Sequence, residues 1–241
     1  MKWITLLFLL QVSSQSPAFE LPPDFNATYL IKKYGSTVAK STLTLQKNDS
    51  QISYTSSSKA EGLAAIFTSD TINETSTLKL TDPEHAPYLL EYHYSRKTKP
   101  EKNQTIKTTW HENNLASIIS HYKNTDTQFS EPHPVWDKLS IQLALINDIK
   151  SAKKHDILNY KVVDKNVIKN YKFEYLDDET INVDNHNYHT KKLKRIHASG
   201  KRTTIMWLAT DLANLPIAIE QHKDNDINWR MELQDINIKA N

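Results

Sequence analysis

Apolar and polar residues alternate along most of this chain, in runs rich in β-branched and aromatic residues. Alternation of this kind is typical of half-buried β-strands, because successive side chains of a strand point to opposite faces. Polar turn clusters separate the runs at short intervals, as at 47–50. Short connections favour antiparallel hairpins, since a parallel crossover needs a dozen or more residues. The pattern therefore predicts a mainly β protein built on an antiparallel sheet.

The alternating runs are distributed over the whole chain after residue 26. The predicted strands are 27–34, 37–45, 52–57, 62–68, 71–80, 88–95, 106–111, 116–122, 159–164, 167–176, 180–183, 188–198, 201–208, 217–222 and 227–238. No linker, low-complexity tract or repeat divides them, which favours one domain over residues 19–241.

One segment departs from the alternation. Between Val135 and Lys150 the apolar residues follow a helical spacing, at positions 135, 139, 143, 146 and 149. Pro132 and Pro134 lie just upstream, where proline is compatible with a helix start. The spacing predicts one main helix over 135–150 that packs an apolar stripe against the sheet.

The N-terminus has the features of a secretory signal. Lys2 gives a basic start, a short apolar run follows to Leu10, and small residues at Ser16 and Ala18 suit a signal-peptidase site. The run is too short to span a bilayer, which takes about 20 apolar residues. We therefore expect residues 1–18 to be a cleaved signal peptide, and the protein to be periplasmic without a transmembrane segment.

Composition excludes several classes of site. The chain has no cysteine, which rules out a lipid anchor on a lipobox cysteine, disulfides, thiol catalysis and cysteine zinc sites. Removing Lys2 with the signal leaves 29 basic and 28 acidic residues. Nucleic-acid binding usually needs a concentrated basic surface, so we do not expect a nucleic-acid partner.

Several motifs, in order along the chain, resemble one bacterial exported family. They are Asp137-Lys138-Leu139-Ser140, the two runs 160–165 and 171–174, and Trp207-Leu208-Ala209-x-Asp211 followed by Leu215-Pro216-Ile217. Together with the region 26–67 they are similar to DUF3108, a family without an assigned function. The resemblance identifies Asp137, Ser140, Trp207, Leu208, Asp211 and Pro216 as structural motif residues. Asp137 and Ser140 are expected to cap the helix start, and Asp211 to bond the backbone of its own turn.

The resemblance implies a fold. Members of the family look like incomplete, strongly curved antiparallel barrels, similar to periplasmic lipoprotein carriers of Gram-negative bacteria. The expected fold is thus a single strongly curved antiparallel sheet, or incomplete β-barrel, with one main α-helix packed on its concave face. That face can be a packed core or an apolar ligand cavity.

The candidate ligand-lining residues are apolar side chains of the predicted helix together with tryptophans of the sheet. They are Trp136, Leu139, Leu143, Ile146, Trp110 and Trp207. Packing in the core is the more common role of such side chains, and the mouths of barrels that hold apolar ligands are the alternative.

The chain carries no recognisable catalytic motif, and with three glycines the glycine-rich nucleotide motifs are missing. His186 and His189 are three apart, so they point to opposite faces of a strand. His93, His111 and His121 can meet only if their hairpins pair. We therefore expect neither a metal site, a cofactor nor an enzymatic activity.

Two functions stay open at this point. The first is a non-enzymatic periplasmic protein that binds a lipid, an acyl chain or a lipidated protein in a half-open barrel. The alternative is an envelope interaction or assembly module whose core is filled by side chains and holds no ligand. The sequence does not specify the oligomeric state.

Overall fold

The computed structural model describes residues 18–62, 64–80, 85–197, 200–224 and 226–239. The predicted signal peptide, apart from residue 18, lies outside these residues. The described segment just after it packs on the rest of the chain: the Phe19 ring stacks on Trp136, with centroids 6.1 Å apart, and the Glu20 N–H donates to the Asn147 side chain.

Fourteen strands and two helices make up the described fold. The strands are β1 (Phe25–Lys33), β2 (Ser36–Lys47), β3 (Gln51–Ala60), β4 (Thr71–Lys79), β5 (Tyr88–Arg96), β6 (Gln104–Trp110), β7 (Leu115–Tyr122), β8 (Thr125–Pro132), β9 (Ile157–Val163), β10 (Ile168–Val183), β11 (His186–Ile196), β12 (Arg202–Ala209), β13 (Leu215–Lys223) and β14 (Asp226–Ile238). The helices are α1 (Ala64–Phe67) and α2 (Ile141–Asp148), and three-residue 3₁₀ turns cover Pro100–Lys102 and Thr210–Leu212.

All fourteen strands belong to one antiparallel sheet. Its order is β8-β7-β6-β5-β4-β3-β2-β1-β14-β13-β12-β11-β10-β9. Most neighbours are consecutive hairpins, and the long-range pairing of β1 with β14 joins the two meanders, with Phe25 opposite Ile238. The prediction of a mainly β protein with a large antiparallel sheet is confirmed.

The sheet is not closed, because no described ladder pairs β8 with β9. Side chains nevertheless connect these two edge strands. The Asn166 amide donates to the Thr125 carbonyl at 2.7 Å, and Lys161 of β9 forms an ion pair with Glu131 of β8. Trp136, just after β8, makes a short parallel bridge to Val162 of β9. The two ends of the strand order therefore lie next to each other.

The segment 135–149, which contains α2, contacts strands from both arms of the sheet. Ser76 of β4 donates to Asp137, and Tyr54 of β3 donates to Gln142. On the other arm, Tyr160 of β9 donates to Asp148. We call the face of the sheet that makes these contacts the inner face.

The predicted helix over 135–150 is wrong at its start. The backbone of Trp136 is bonded to Lys161 and Val163 of β9, so this residue extends the sheet, and the helix begins only at Ile141. The helix also lacks a single apolar stripe: residues 141 and 143–146 are all buried, around most of its circumference. Helical spacing alone did not separate the bridge residue Trp136 from the residues of the helix, because both kinds of residue can be apolar and buried.

Two other predictions at the level of elements need correction. The run 62–68, predicted as a strand, contains α1, and Gly62 at φ +61° places the chain in a turn before it. Strand β8 was missed, since its sequence Thr125–Pro132 has only one large apolar residue, Phe129. The runs 167–176 and 180–183 form the single long strand β10.

Because neighbouring strands are antiparallel, the connections fall at two opposite ends of the sheet. The seven connections that follow odd-numbered strands share one end with α1, which we call the α1 end. The six that follow even-numbered strands, including the long segment with α2, share the other, which we call the α2 end.

Candidate functional site

Four of the six predicted ligand-lining residues lie in the core. Trp136, Leu139, Leu143 and Ile146 are each at most 3% exposed and belong to the main hydrophobic cluster. Their contacts are thus with other side chains of the protein. Their role as ligand-lining residues stays a prediction.

Trp110 lies apart from them, at the α2 end of β6. Its ring packs against Tyr88 and His133, with centroid distances of 4.6 and 5.4 Å, and its N–H donates to the Leu89 carbonyl at 2.7 Å. The three rings form a small aromatic cluster on the first residue of β5, the last residue of β6 and the loop after β8.

The motif residues Asp137 and Ser140 form a closed hydrogen-bonded turn before α2. Asp137 Oδ1 accepts from the backbone N–H groups of Leu139 and Ser140 and from the Ser76 hydroxyl, at 2.7–2.9 Å. The Ser140 hydroxyl donates to Asp137 Oδ2 and accepts from the Asp137 N–H. Burial raises the pKa of Asp137 above its ordinary value, although these hydrogen bonds oppose the shift. The turn anchors the start of α2 to β4.

The second motif forms the predicted hairpin from β12 to β13. Its connection is a 3₁₀ turn that ends in left-handed residues at Ala213 and Asn214, closed by the bond from the Asn214 N–H to the Ala209 carbonyl. Leu208 is buried opposite Pro216, which lies where β13 does not yet pair with β14. The missing N–H of Pro216 therefore removes no bond to β14, as expected for proline near a strand start.

Asp211 of this motif does not bond the backbone of its own turn in the expected way. Its carboxylate instead accepts from the backbone N–H and the ring of His189 on β11, both at 3.4 Å. Backbone hydrogen bonds hold the turn, and the side chain of Asp211 connects it to β11.

Trp207 alternates with the inner-face residues Met206 and Leu208 and faces the opposite, outer side of the sheet. Its ring lies under two cations, Lys192 and Arg230, and its N–H donates to Glu179. Arg230 in turn pairs with the buried Glu220. These contacts fix the indole within an ion-pair network and leave little of its ring exposed.

A surface groove of about 410 Å³ runs across β10 to β13 beside this network. It is lined by Leu176, Lys192, Lys194, Thr203, Ile205, Trp207, Glu220 and His222. Of the six predicted ligand-lining residues, Trp207 alone borders this groove.

The burial of the inner face changes along the strands. In β1, Ala27 and Tyr29 are buried, but Ile31, the next inner-face residue toward the α1 end, is partly exposed. In β3, Tyr54 is buried and Ser56 is partly exposed. In these two strands the inner face is therefore buried toward the α2 end and partly exposed nearer the α1 end.

We call this accessible part of the inner face the inner mouth. One wall is apolar: Ile31 lies opposite Met231 of β14, and Trp229 follows on the same face. The other wall is polar and consists of inner-face residues of β3 and β4, namely Ser56, Ser58 and Glu74. The two walls lie a few strands apart, about 5 Å per strand.

Two cations lie within the inner mouth. Lys138, at the start of the turn before α2, has its ammonium 4.4 Å from the ring centroid of Tyr94. Arg195 of β11 stacks on the Tyr171 ring at 3.5 Å. Both side chains are partly exposed, so their charges are accessible from the mouth.

Carboxylates and tyrosines complete the polar part of this region. Tyr92 donates to Glu74 at 2.6 Å, and burial raises the pKa of Tyr92, so its hydroxyl stays protonated at neutral pH. Asp164 is buried and accepts from Lys169 at 2.7 Å; this cation keeps the pKa of Asp164 below its ordinary value against the opposing effect of burial.

The histidines are distributed over separate contacts. His93 and His121 lie on the same face but are separated by Thr105 of the intervening strand, and each contacts its own carboxylate, Glu91 and Asp126. Within the described ranges, no group of three or more histidine, aspartate or glutamate side chains is arranged to hold a metal ion.

Neither helix in the described part of the chain is long and apolar enough to cross a bilayer.

The unclosed sheet with its joined edges places the protein among barrel-like β proteins. A solved structure with a similar fold is a β-barrel-like protein of domain of unknown function DUF1849 from Brucella abortus, with a TM-score of 0.58 and 7% identity, covering 92% of this chain and 100% of that one. A putative exported protein with a YmcC-like fold from Bacteroides fragilis has a TM-score of 0.41 and 10% identity, covering 91% of this chain and 99% of that one. No curated protein sequence matches the chain significantly.

The family itself is shown by the sequence. The profile of DUF3108, described as a protein of unknown function, matches residues 24–233. The chain belongs to this family, which confirms the resemblance seen in its motifs.

Sequence reasoning missed the residues of the inner mouth. Ile31 and Met231 lie 200 positions apart and meet only because β1 pairs with β14. Their alternation with polar neighbours placed each on a strand face, but no local signal identified the partner strand. Lys138 was recognised only as part of a motif, and its position over Tyr94 depends on the fold.

Proposed function

We propose that this protein is an exported, periplasmic, non-enzymatic protein that binds an amphiphile carrying an acyl or other apolar chain. In this proposal the sheet is an incomplete, strongly curved barrel with α2 on its concave face. The helix fills one end of the barrel, and the ligand occupies the inner mouth at the other end. The observation that carries the proposal is the change of the inner face from buried to accessible between Tyr29 and Ile31.

The chemistry of the inner mouth suits a ligand with two unlike parts. An apolar chain against Ile31, Trp229 and Met231 would remove partly exposed apolar surface from water, which is favourable by about 25 cal/mol per Å². An anionic or strongly polar head group would find Lys138 and Arg195 within the same mouth. Cations held on aromatic rings keep their positions before the ligand arrives, which reduces the entropic cost of binding.

A non-enzymatic role fits the polar groups of this region. The carboxylate of Asp164 is held by Lys169, and that of Glu74 accepts a bond from Tyr92. Each carboxylate also accepts from a tyrosine hydroxyl, Asp164 from Tyr171 and Glu74 from Tyr92, and burial raises the pKa of both tyrosines, which disfavours their activation as nucleophiles at neutral pH.

The first test is whether the protein carries a ligand when purified. We expect native mass spectrometry after gentle extraction to reveal a bound lipid or fatty acid, and dodecanoate to bind the delipidated protein. Repeated isolation of an empty protein that also fails to bind dodecanoate would contradict the proposal and leave the alternative, an interaction module with a filled core.

Matched variants locate the binding site. Lys138→Gln and Lys192→Gln each remove a lysine that lies over an aromatic ring, the first in the inner mouth and the second beside the outer groove. Loss of one charge-assisted contact should weaken dodecanoate binding about tenfold in Lys138→Gln. Lys192→Gln should bind normally, and the uncharged dodecanol should not distinguish wild type from Lys138→Gln.

A second pair tests the apolar wall. Met231→Ala shortens a side chain of the inner mouth, and Ile205→Ala shortens one of the outer groove. We expect Met231→Ala alone to weaken binding of both dodecanoate and dodecanol. Sensitivity to Ile205→Ala and Lys192→Gln instead would assign the ligand to the outer groove and refute the inner site.

A further inference from the structure

Large apolar side chains are unusually exposed at the α1 end. Of the eight large hydrophobic residues that are exposed in the described part of the chain, six lie in or beside the connections of this end. They are Tyr34, Ile66, Phe67, Val167, Ile196 and Ile227. Contiguous exposed apolar surface on a water-soluble fold is unfavourable and commonly marks an interaction site.

Three of these residues form one projection, which we call the apolar tip: Tyr34, Ile66 and Phe67, with exposures of 86%, 74% and 87%. Tyr34 occupies the tight turn between β1 and β2. The chain before α1 is bonded to the first part of β2 through the Glu61 N–H and the Val38 carbonyl, at 3.0 Å, and α1 itself contacts β2, so the two α1 residues lie at the same end of the β1–β2 hairpin as Tyr34. The tip is therefore held by backbone structure.

Lysines lie next to the apolar tip. The Lys33 ammonium is 5.2 Å from the centroid of the Tyr34 ring. Lys40 and Lys59 are directly opposite each other on β2 and β3, and both are exposed. Like charges at such a position repel and destabilise the pair of strands, so an anion between or beside them would be favourable.

The two ends of the sheet also differ in charge. The connections of the α1 end and the strand residues that border them contain ten Lys or Arg against six Asp or Glu. The described residues in the corresponding segments of the α2 end contain six basic against seven acidic. An anionic surface would therefore attract the molecule with its α1 end forward.

We infer that the α1 end docks on an anionic lipid surface, with the apolar tip inserted among the head groups and Lys33, Lys40 and Lys59 facing lipid phosphates. Aromatic and aliphatic side chains flanked by lysines are the composition that partitions into the membrane interface. This inference concerns a surface outside the inner mouth, so it stands or falls independently of the proposed ligand.

The test is co-sedimentation with vesicles of phosphatidylcholine, with and without about one third phosphatidylglycerol to supply the negative surface charge. The protein is used both as the full chain and as the chain beginning at Phe19, which retains every described strand. Any contribution of residues 1–18 is common to wild type and variant, so the difference within each pair reports the α1 end. We expect binding to the anionic vesicles that weakens as salt is raised.

Two variants and two controls identify the surface. Ile66→Ser/Phe67→Ser and Lys40→Gln/Lys59→Gln change exposed side chains, and each should reduce partitioning onto anionic vesicles about tenfold or more. Ile157→Ser removes an exposed apolar residue at the α2 end, and Lys153→Gln removes an exposed lysine there. Both controls should bind as wild type does.

Three outcomes would overturn the inference. In the first, wild type fails to bind anionic vesicles. In the second, Ile66→Ser/Phe67→Ser and Lys40→Gln/Lys59→Gln bind these vesicles as well as the controls do. In the third, wild type associates with itself without vesicles, and Ile66→Ser/Phe67→Ser abolishes this association. The last result would assign the tip to a second copy of this chain, and light scattering of the vesicle-free samples measures it directly.

Discussion

Substitution of Asp137 by alanine should strongly destabilise the protein. The carboxylate accepts four buried hydrogen bonds, two from backbone N–H groups that point to it at fixed geometry and two from the hydroxyls of Ser76 and Ser140. An orphaned buried donor costs about 1–3 kcal/mol. The two N–H groups and at least one hydroxyl would lose their partner, while removal of a buried carboxylate recovers some desolvation energy. We expect a loss of about 3–5 kcal/mol in the free energy of unfolding.

The assay is urea unfolding followed by circular dichroism and tryptophan fluorescence. Asp211→Ala is the matched control, because its carboxylate is half-exposed and its two bonds to His189 are 3.4 Å long. Asp211→Ala should lower the free energy of unfolding by less than about 0.5 kcal/mol. Asp137→Asn keeps one oxygen toward the two N–H groups and should fall between wild type and Asp137→Ala.

A double-mutant cycle tests the assignment to β4. If Asp137 anchors the helix turn through Ser76, the effects of Asp137→Ala and Ser76→Ala will not add, and the coupling should be about 1 kcal/mol. Equal stability of Asp137→Ala and Asp211→Ala would refute the reasoning, since it would mean that the buried turn contributes no more than a solvated contact.

Two further changes address the helix and the pH dependence. Leu143→Asp should lower the free energy of unfolding by at least about 4 kcal/mol, because it places an unpaired charge at a fully buried position. The control Ile157→Asp changes a half-exposed residue and should alter the melting temperature little. An unchanged melting temperature for Leu143→Asp would show that α2 does not dock. The guanidinium of Arg96 holds the pKa of Asp70 at about 2, below its ordinary 3.8, so this carboxylate stabilises the fold above pH 3.8 and that contribution is lost as the pH falls toward 2. The unfolding free energy of wild type should therefore exceed that of Asp70→Asn by about 1 kcal/mol at neutral pH, and most of this difference should be lost as the pH falls to 2. A constant difference in urea titrations across that range would contradict the ion pair.

The sequence predicted the parts of the fold that depend on local pattern. Alternation located most strands, and the polar turn around Asp211 and Asn214 was correctly placed between β12 and β13. It could not predict features that depend on tertiary contact. The bonds of Trp136 to β9 shorten the helix, and the 14 strands form one sheet because β1 finds β14 at the other end of the chain.

The candidate site was harder to predict than the fold. Large apolar side chains near the predicted helix were reasonable ligand-lining candidates, yet size and helical spacing also describe a core. Leu143 and Ile146 are buried around α2, whereas the partly exposed inner-face residues are Ile31 and Met231 on ordinary-looking strands. What separates the two groups is their distance along the strand from α2, and that distance exists only after folding.

The inner mouth and the apolar tip lie toward the same end of the sheet, and this placement has a consequence for how the two proposals relate. If both hold, a ligand leaving the inner mouth would emerge beside the lipid surface on which the α1 end rests, without crossing α2 at the opposite end. Tip variants would then slow exchange of a bound amphiphile with anionic vesicles while leaving its affinity in solution unchanged. Lys138→Gln would do the reverse, weakening affinity in solution with normal binding to vesicles. A variant set in which both properties always changed together would show that one surface accounts for both, and would rule out separate sites.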